Sequence, residues 1–310
     1  MGDHLSRVAI AIFAFNRPES LERIIFSLYE CPEIDGTSVN IFIDGPRNEL
    51  EREQVAQTAK VASASRFRNV RIVQSSSNKG LRRSIYDGVS QICEEFGRVI
   101  VLEDDLVLSP YALEYFIGGL DRFEKNDRVW SICGYTYEHP RLSKTNRAFF
   151  LPFAHPWGWA TWARAWRRFE FDQPLVSSQV LGTAEFRRFF DVGGLSRATD
   201  LLDLAQRGKV DSWFIRWHWK IFREGGVSLF PSRRFVVNRG VSEGGTHAGT
   251  LNPYRLLAGS PDPSGEMPIS WPDEITPDFE ALSLMRRSRD ASVQRFIAWA
   301  GRIKRLYLKR

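Results

Sequence analysis

The sequence predicts an α/β fold, a mostly parallel sheet wrapped by helices, and three observations predict it. Short β-branched runs alternate with longer amphipathic stretches through the first hundred residues. Polar residues punctuate the carboxyl end of each run. The chain of 310 residues, 43% apolar and 26% charged, has the composition of a globular protein with a large core.

Val8 to Phe15 is an unbroken apolar run, the pattern of a strand buried on both faces. Asn16-Arg17 ends it, and Pro18, with its φ preset for a first helical turn, opens a helix over Pro18 to Tyr29. Val39 to Asp44 reads as the second strand and Glu49 to Ala62 as the helix after it. Val70 to Gln74 is the third strand, followed by Asn78-Lys79-Gly80 and a helix over Leu81 to Phe96. Val99 to Leu102 is the fourth, and Glu103-Asp104-Asp105 ends it. In open α/β sheets ligands gather at the carboxyl ends of the strands, so these polar residues are expected along one rim.

The second half changes character. Seven of the ten tryptophans fall between Trp157 and Trp219. Trp162 and Trp166 are four apart, as are Trp213 and Trp217, and each pair is expected to share a helical face in the core. Prolines 253, 261, 263, 268, 272 and 277 preclude a long helix there. Residues 251–284 therefore read as a strap or linker. Residues 285–310 read as a basic amphipathic helix, with Val293, Phe296, Ile297, Ala300, Ile303 and Tyr307 on one face and Arg295, Arg302, Arg305 and Lys309 on the other. That tail carries nine basic residues against Asp290 alone, a net +8 that exceeds the +6 of the whole chain. The remaining chain is slightly acidic, which argues against a nucleic-acid partner. The tail suits an anionic membrane surface or a protein face. Cys31, Cys93 and Cys133 stand far apart, so neither a disulfide framework nor a zinc site is expected, and a cytosolic setting is. No stretch approaches the roughly 18 to 20 apolar residues needed to cross a bilayer.

Chemistry is most legible at Glu103-Asp104-Asp105. Three adjacent carboxylates at the end of an apolar strand repel one another unless water or a cation compensates. Mn²⁺ or Mg²⁺ takes such oxygen ligands, one or two from protein and the rest from phosphate and water. The alternative is a solvated acidic turn. No G-x-x-x-x-G-K-[ST] and no strand-linked G-x-G-x-x-G is present, which removes the P-loop and weakens a dinucleotide fold.

Phe15-Asn16-Arg17-Pro18, Asp44 and Glu103-Asp104-Asp105 resemble the GT-A donor-binding half of glycosyltransferases related to N-acetylglucosaminyltransferase I and bacterial family 2-like enzymes. Downstream, Pro156-Trp157-Gly158-Trp159 resembles that family's G-W turn, Val210-Asp211-Ser212-Trp213 its W-D-D-W segment, and Arg239-Gly240-Val241-Ser242 its K-G-V-S loop. The resemblance implies a GT-A domain over 1–250, with a donor-binding half to 105 and an acceptor half over 106–250. It implies a nucleotide-sugar donor, a UDP-sugar by default, and a glycan or lipid-linked glycan acceptor. Position by position it makes Asp105 the ligand of Mn²⁺ or Mg²⁺, sets Asp104 near the ribose, Asp44 at the base and Arg17 at the diphosphate, and makes Ser242 a donor-side loop residue.

An inverting transferase needs a base for the acceptor hydroxyl. Asp211 is the candidate, although the family's second acid is Ser212 here, and Asp211 is also placed to cap the helix expected over Trp213 to Phe222. The glycine-rich run Ser242 to His247 suits a lid, and His247 is a candidate for the metal or a phosphate. Trp157 is a candidate acceptor contact. Two rivals stand beside this reading. A sugar nucleotidyltransferase would want a glycine-rich phosphate loop where Asn16-Arg17-Pro18-Glu19 stands, and a silent nucleotide-sugar or glycan-binding module would leave Asp211 as a cap only.

Overall fold

Every residue of β1 (Ala9–Ala14) is buried, which is why it lies inside the sheet instead of at its edge. In the computed structural model, which describes residues 8–240 and 262–290, β1 leads into α1 (Pro18–Tyr29), β2 (Ser38–Ile43), α2 (Glu49–Ser63), β3 (Val70–Gln74), α3 (Leu81–Phe96) and β4 (Arg98–Glu103). The seven elements expected in this half are all present. Those over 18–29, 70–74 and 81–96 have the expected bounds.

After the acids come the short β5 (Leu106–Leu108), α4 (Ala112–Arg122), β6 (Val129–Cys133), α5 (Pro140–Ser143), β7 (Ala148–Leu151), β8 (Trp159–Trp162) and α6 (Ala163–Trp166). The short helices α7 (Ser178–Leu181), α8 (Ala184–Phe190) and α9 (Ala198–Gln206) precede α10 (Trp213–Arg223), β9 (Val227–Pro231) and β10 (Val236–Asn238). The main sheet has the order β3-β2-β1-β4-β8-β6-β9-β7. Pairs β1–β2, β1–β4, β2–β3 and β6–β9 are parallel, while β8 runs antiparallel to both β4 and β6, and β7 antiparallel to β9. The fold is thus mixed α/β with a mostly parallel sheet. β5 and β10 form a separate antiparallel ribbon.

The period of two along β1 divides the core. Ile10 and Ile12 join α1, β2 and α4 on one face of the sheet. Ala9, Ala11 and Phe13 join α3, α6 and α10 on the other, where Trp159, Trp166, Trp213 and Trp217 pack together. The tryptophan pairs behave differently from one another. Trp213 and Trp217 do share one face of α10, whereas Trp162 ends strand β8 and packs with the first cluster while Trp166 packs with the second. A strand end at Trp162 breaks the helical spacing on which the second pairing depended.

From residue 262 the chain runs across the far side of the sheet. Ser270 bridges Arg147 and Pro277 bridges Phe150, both flanking or within edge strand β7. A helix over 279–290 then buries Ala281, Leu282, Leu284 and Met285 against Phe149, Leu151 and Phe230. The tail beyond 290, with most of the expected basic face, lies outside the described residues, as does 241–261. No helix among the described residues is long and apolar enough to cross a membrane.

Candidate active site

The parallel register brings the strand ends together. Phe13 of β1 lies opposite Glu103 of β4, and Ala14 opposite Ile43 of β2. Ladder bonds continue past the strands, from the Asp104 amide to Phe13 and from the Asp44 amide to Ala14, each at 3.0 Å. Arg17, Asp44 and the three acids therefore stand side by side at one rim.

Asp104 is buried, and its carboxylate accepts from the Phe15 amide at 3.4 Å. Burial, then the neighbouring Asp105 charge, pushes its pKa up to about 7. Burial followed by the Asp105 and Asp104 charges pushes Glu103 up to about 8, against which the Trp213 indole donates a hydrogen bond to its carboxylate. Asp105 is raised by burial, with Arg17 opposing, its guanidinium 3.9 Å from the carboxylate. Asn238 of β10 also bonds the Asp105 side chain, and the Arg239 amide donates to the Asp105 carbonyl at 2.8 Å. Gly240 passes so close that a Cβ there would sit 2.4 Å from Asp105 Oδ2, so glycine is required for the approach.

These residues fit a hard divalent cation. Asp105 Oδ1 is buried without a hydrogen-bond partner, and three adjacent acids share an environment that disfavours their charge. Among the described residues no group of three or more His, Cys, Asp or Glu forms a cage for a metal by itself.

Asp44 has a different task in this geometry. Its Oδ1 accepts from the Gly45 and Lys79 amides at 2.9 and 2.8 Å, and its Oδ2 from the Gly80 amide and the Asn78 side chain at 2.9 and 3.0 Å. Four donors occupy the carboxylate, so it pins the loop before α3 to the end of β2, and a nucleotide base would have to displace one of them.

Asp211 is not the cap of α10. Ser212 is, its Oγ accepting from the Ile215 amide at 3.4 Å, because the helix begins one residue later than a cap at Asp211 requires. Asp211 is instead 66% exposed and accepts from Arg82 Nη1 at 2.9 Å. Trp213, two residues on, bonds Glu103, so the start of α10 abuts the acids. Trp157 is half-buried, edge-on to Tyr135 and His155 at 4.6 and 5.0 Å. Ser242 and His247 lie outside the described residues. The chain leaves the described part at Gly240 beside Asp105 and returns at Asp262, which pairs with Arg239 at 2.9 Å.

No family model matches the chain, and no curated protein sequence matches it. Among solved structures it is similar to the mannosyltransferase PcManGT from Pyrobaculum calidifontis in complex with GDP-Man and Mn²⁺. The identity is 12% and the TM-score 0.40, over 71% of this chain and 69% of that one. It is also similar to residues 1–349 of S. aureus TarS, at 14% identity and a TM-score of 0.34, over 61% of this chain and 56% of that one. The chain thus spans little more than half of that TarS structure. Likeness at this level says nothing about activity.

Sequence reading missed Arg82, Asn238 and the Trp213–Glu103 bond. Arg82 carried a signal: α3 has no acid in its first turn and places Arg82 and Arg83 there, against the preference of a helix N-terminus for negative charge. Asn238 carried none, since its role depends on β10 pairing with β5 across the acids.

Proposed function

We propose that the chain is a divalent-metal-dependent glycosyltransferase that moves a sugar from a nucleotide diphosphate to an acceptor hydroxyl. The observation that carries this reading is the buried, partnerless Asp105 Oδ1 within an acidic triad at the carboxyl rim of a parallel sheet, faced by Arg17. Asp105 would hold Mn²⁺ or Mg²⁺, which when bound neutralises the charge growing on the departing diphosphate. In this reading Arg17 would orient that diphosphate, Asp104 would lie near the ribose, and Asp44 would read the base by exchanging one of its four donors for it. A UDP-sugar is the favoured donor.

The acceptor hydroxyl is a weak nucleophile. Asp211, exposed at the start of α10, takes its proton as the oxygen bonds to the anomeric carbon. The bond from that carbon to the phosphate oxygen breaks, and the electron pair leaves with the nucleoside diphosphate. Attack from the face opposite the leaving group inverts the anomeric centre.

The acceptor in this proposal is a glycan or lipid-linked glycan. The basic tail over 285–310 would hold the enzyme at the inner face of a membrane, supported by its charge and apolar stripe. Against that stands the burial of Met285 on the domain, which favours packing at the start of the same stretch. Nucleotide release from UDP-, GDP- and dTDP-sugars with Mn²⁺ tests the activity. Pyrophosphate release from a nucleoside triphosphate would mark a nucleotidyltransferase instead, and binding without turnover a silent module.

A further inference from the structure

Arg82 ties the two halves of the chain together at the candidate base. It stands in the first turn of α3, 129 residues from Asp211 in sequence, and its side chain is only 13% exposed. Both of its Nη atoms donate to the second half, while Nε is buried without a hydrogen-bond partner. Nη1 donates to Asp211 Oδ1 at 2.9 Å, while Nη2 donates to the Phe171 carbonyl at 2.6 Å and to Asp172 Oδ1 at 2.8 Å. The Phe171 ring lies under it, 3.9 Å from the guanidinium carbon. Arg216 of α10 is near enough for Arg82 to hold its guanidinium pKa down, second to burial.

We infer that Arg82 is a positioning residue for the transfer step, fixing the Asp211 carboxylate in the orientation that receives the acceptor proton; this rests on the reading of Asp211 as base. Asp211 lies in the two residues between Val210 and Trp213 and is two-thirds exposed, so its own segment gives the carboxylate little to rest against. The aromatic ring, a carbonyl and a second carboxylate fix the guanidinium, which is a rigid planar donor, and it fixes Oδ1 in turn. With the side chain two-thirds exposed and Oδ1 bound by Arg82, Oδ2 is the oxygen assigned to receive the proton. Because Arg82 starts α3, the helix that follows the Asp44-pinned loop, the orientation of the base is set by the half that holds the donor.

The experiment is a double-mutant cycle on turnover of UDP-N-acetylglucosamine and GDP-mannose with Mn²⁺, using Arg82→Met, Asp211→Asn and both together, with Arg82→Lys as the folded control. Arg82→Met should lower kcat by about 10- to 100-fold with donor KM unchanged, the scale of a misplaced catalytic group. Arg82→Lys should recover part of that loss. In the Asp211→Asn background Arg82→Met should cost nothing further, since it acts only through the carboxylate. Additive losses, a loss confined to KM, or wild-type kcat in Arg82→Met would overturn the positioning role while leaving Asp211 as base. Wild-type kcat in Asp211→Asn alone would overturn the base reading, and this inference with it.

Discussion

The Arg17 guanidinium stands 3.9 Å from the Asp105 carboxylate across the rim and, ahead of Arg23, is the larger cationic influence opposing burial at both Asp105 and Asp104. An anionic diphosphate bound there would share Arg17 with the acids. Replacing Arg17 with Met should therefore raise donor KM by about tenfold, the loss of one charge-assisted contact, with little change in kcat. Steady-state kinetics at saturating Mn²⁺ check this, and an unchanged KM would remove Arg17 from the donor site.

Asp211→Asn and Ser212→Ala should separate chemistry from folding. Ser212 is the cap, so Ser212→Ala should cost about 1 kcal/mol of stability and little activity. Asp211→Asn should lower kcat by roughly two to four orders of magnitude with stability and donor affinity kept. Denaturant melts beside kinetics on both variants read this, and a reversed pattern would return Asp211 to a structural role.

Gly240→Ala forces a methyl to within 2.4 Å of Asp105 Oδ2 in the present geometry, so the carboxylate must move. The clash reaches the Asp105 Cβ at 2.7 Å as well as the carboxylate, so the whole side chain must shift at the rim, and a thermal melt beside the kinetics checks that the fold survives. Turnover should drop by about 10- to 100-fold, as for a misplaced catalytic group. Wild-type turnover in Gly240→Ala would mean that the position of Asp105 does not matter.

His218 gives the protein an acid weakness. It is fully buried between Phe190 and Phe214, and burial lowers its pKa to about 4. The unfolded chain binds the proton near pH 6.5, so the neutral native form is favoured above that value, and its advantage is lost as pH falls toward the folded value. From pH 7 to pH 5 the loss is about 2 kcal/mol for this one group. Glu103 and Asp104, raised to about 8 and 7, act in the opposite direction, since the native state keeps protons there that the unfolded chain has released. Comparison with His218→Phe isolates the histidine. The wild type should lose about 2 kcal/mol more than the variant between pH 7 and pH 5, and parallel curves would refute the assignment.

The first half was legible because its information is local. Apolar runs, Pro18 and the polar strand ends each announce themselves within a few residues, and helices 18–29 and 81–96 follow directly. The acids at 103–105 were legible for the same reason. The second half depends on partners far along the chain. β8 inserts antiparallel between β4 and β6, turning Trp162 into a strand end, and β10 reaches back to β5 to bring Asn238 and Gly240 to Asp105. Asp44 shows a further gap between the two views. Its place at a strand end was clear from sequence, but the four donors that occupy it come mostly from a loop more than thirty residues on.

Titration of UDP into the protein by calorimetry, with and without Mn²⁺, on the wild type and on Asp105→Asn, tests the metal-and-diphosphate reading of the rim most directly. Mn²⁺ should tighten UDP binding in the wild type by about tenfold or more, because Asp105 would hold an ion whose charge offsets that of the phosphates. Asp105→Asn should keep its fold and lose that enhancement. Equal UDP affinity with and without Mn²⁺ in the wild type, or an enhancement that persists in folded Asp105→Asn, would contradict the account.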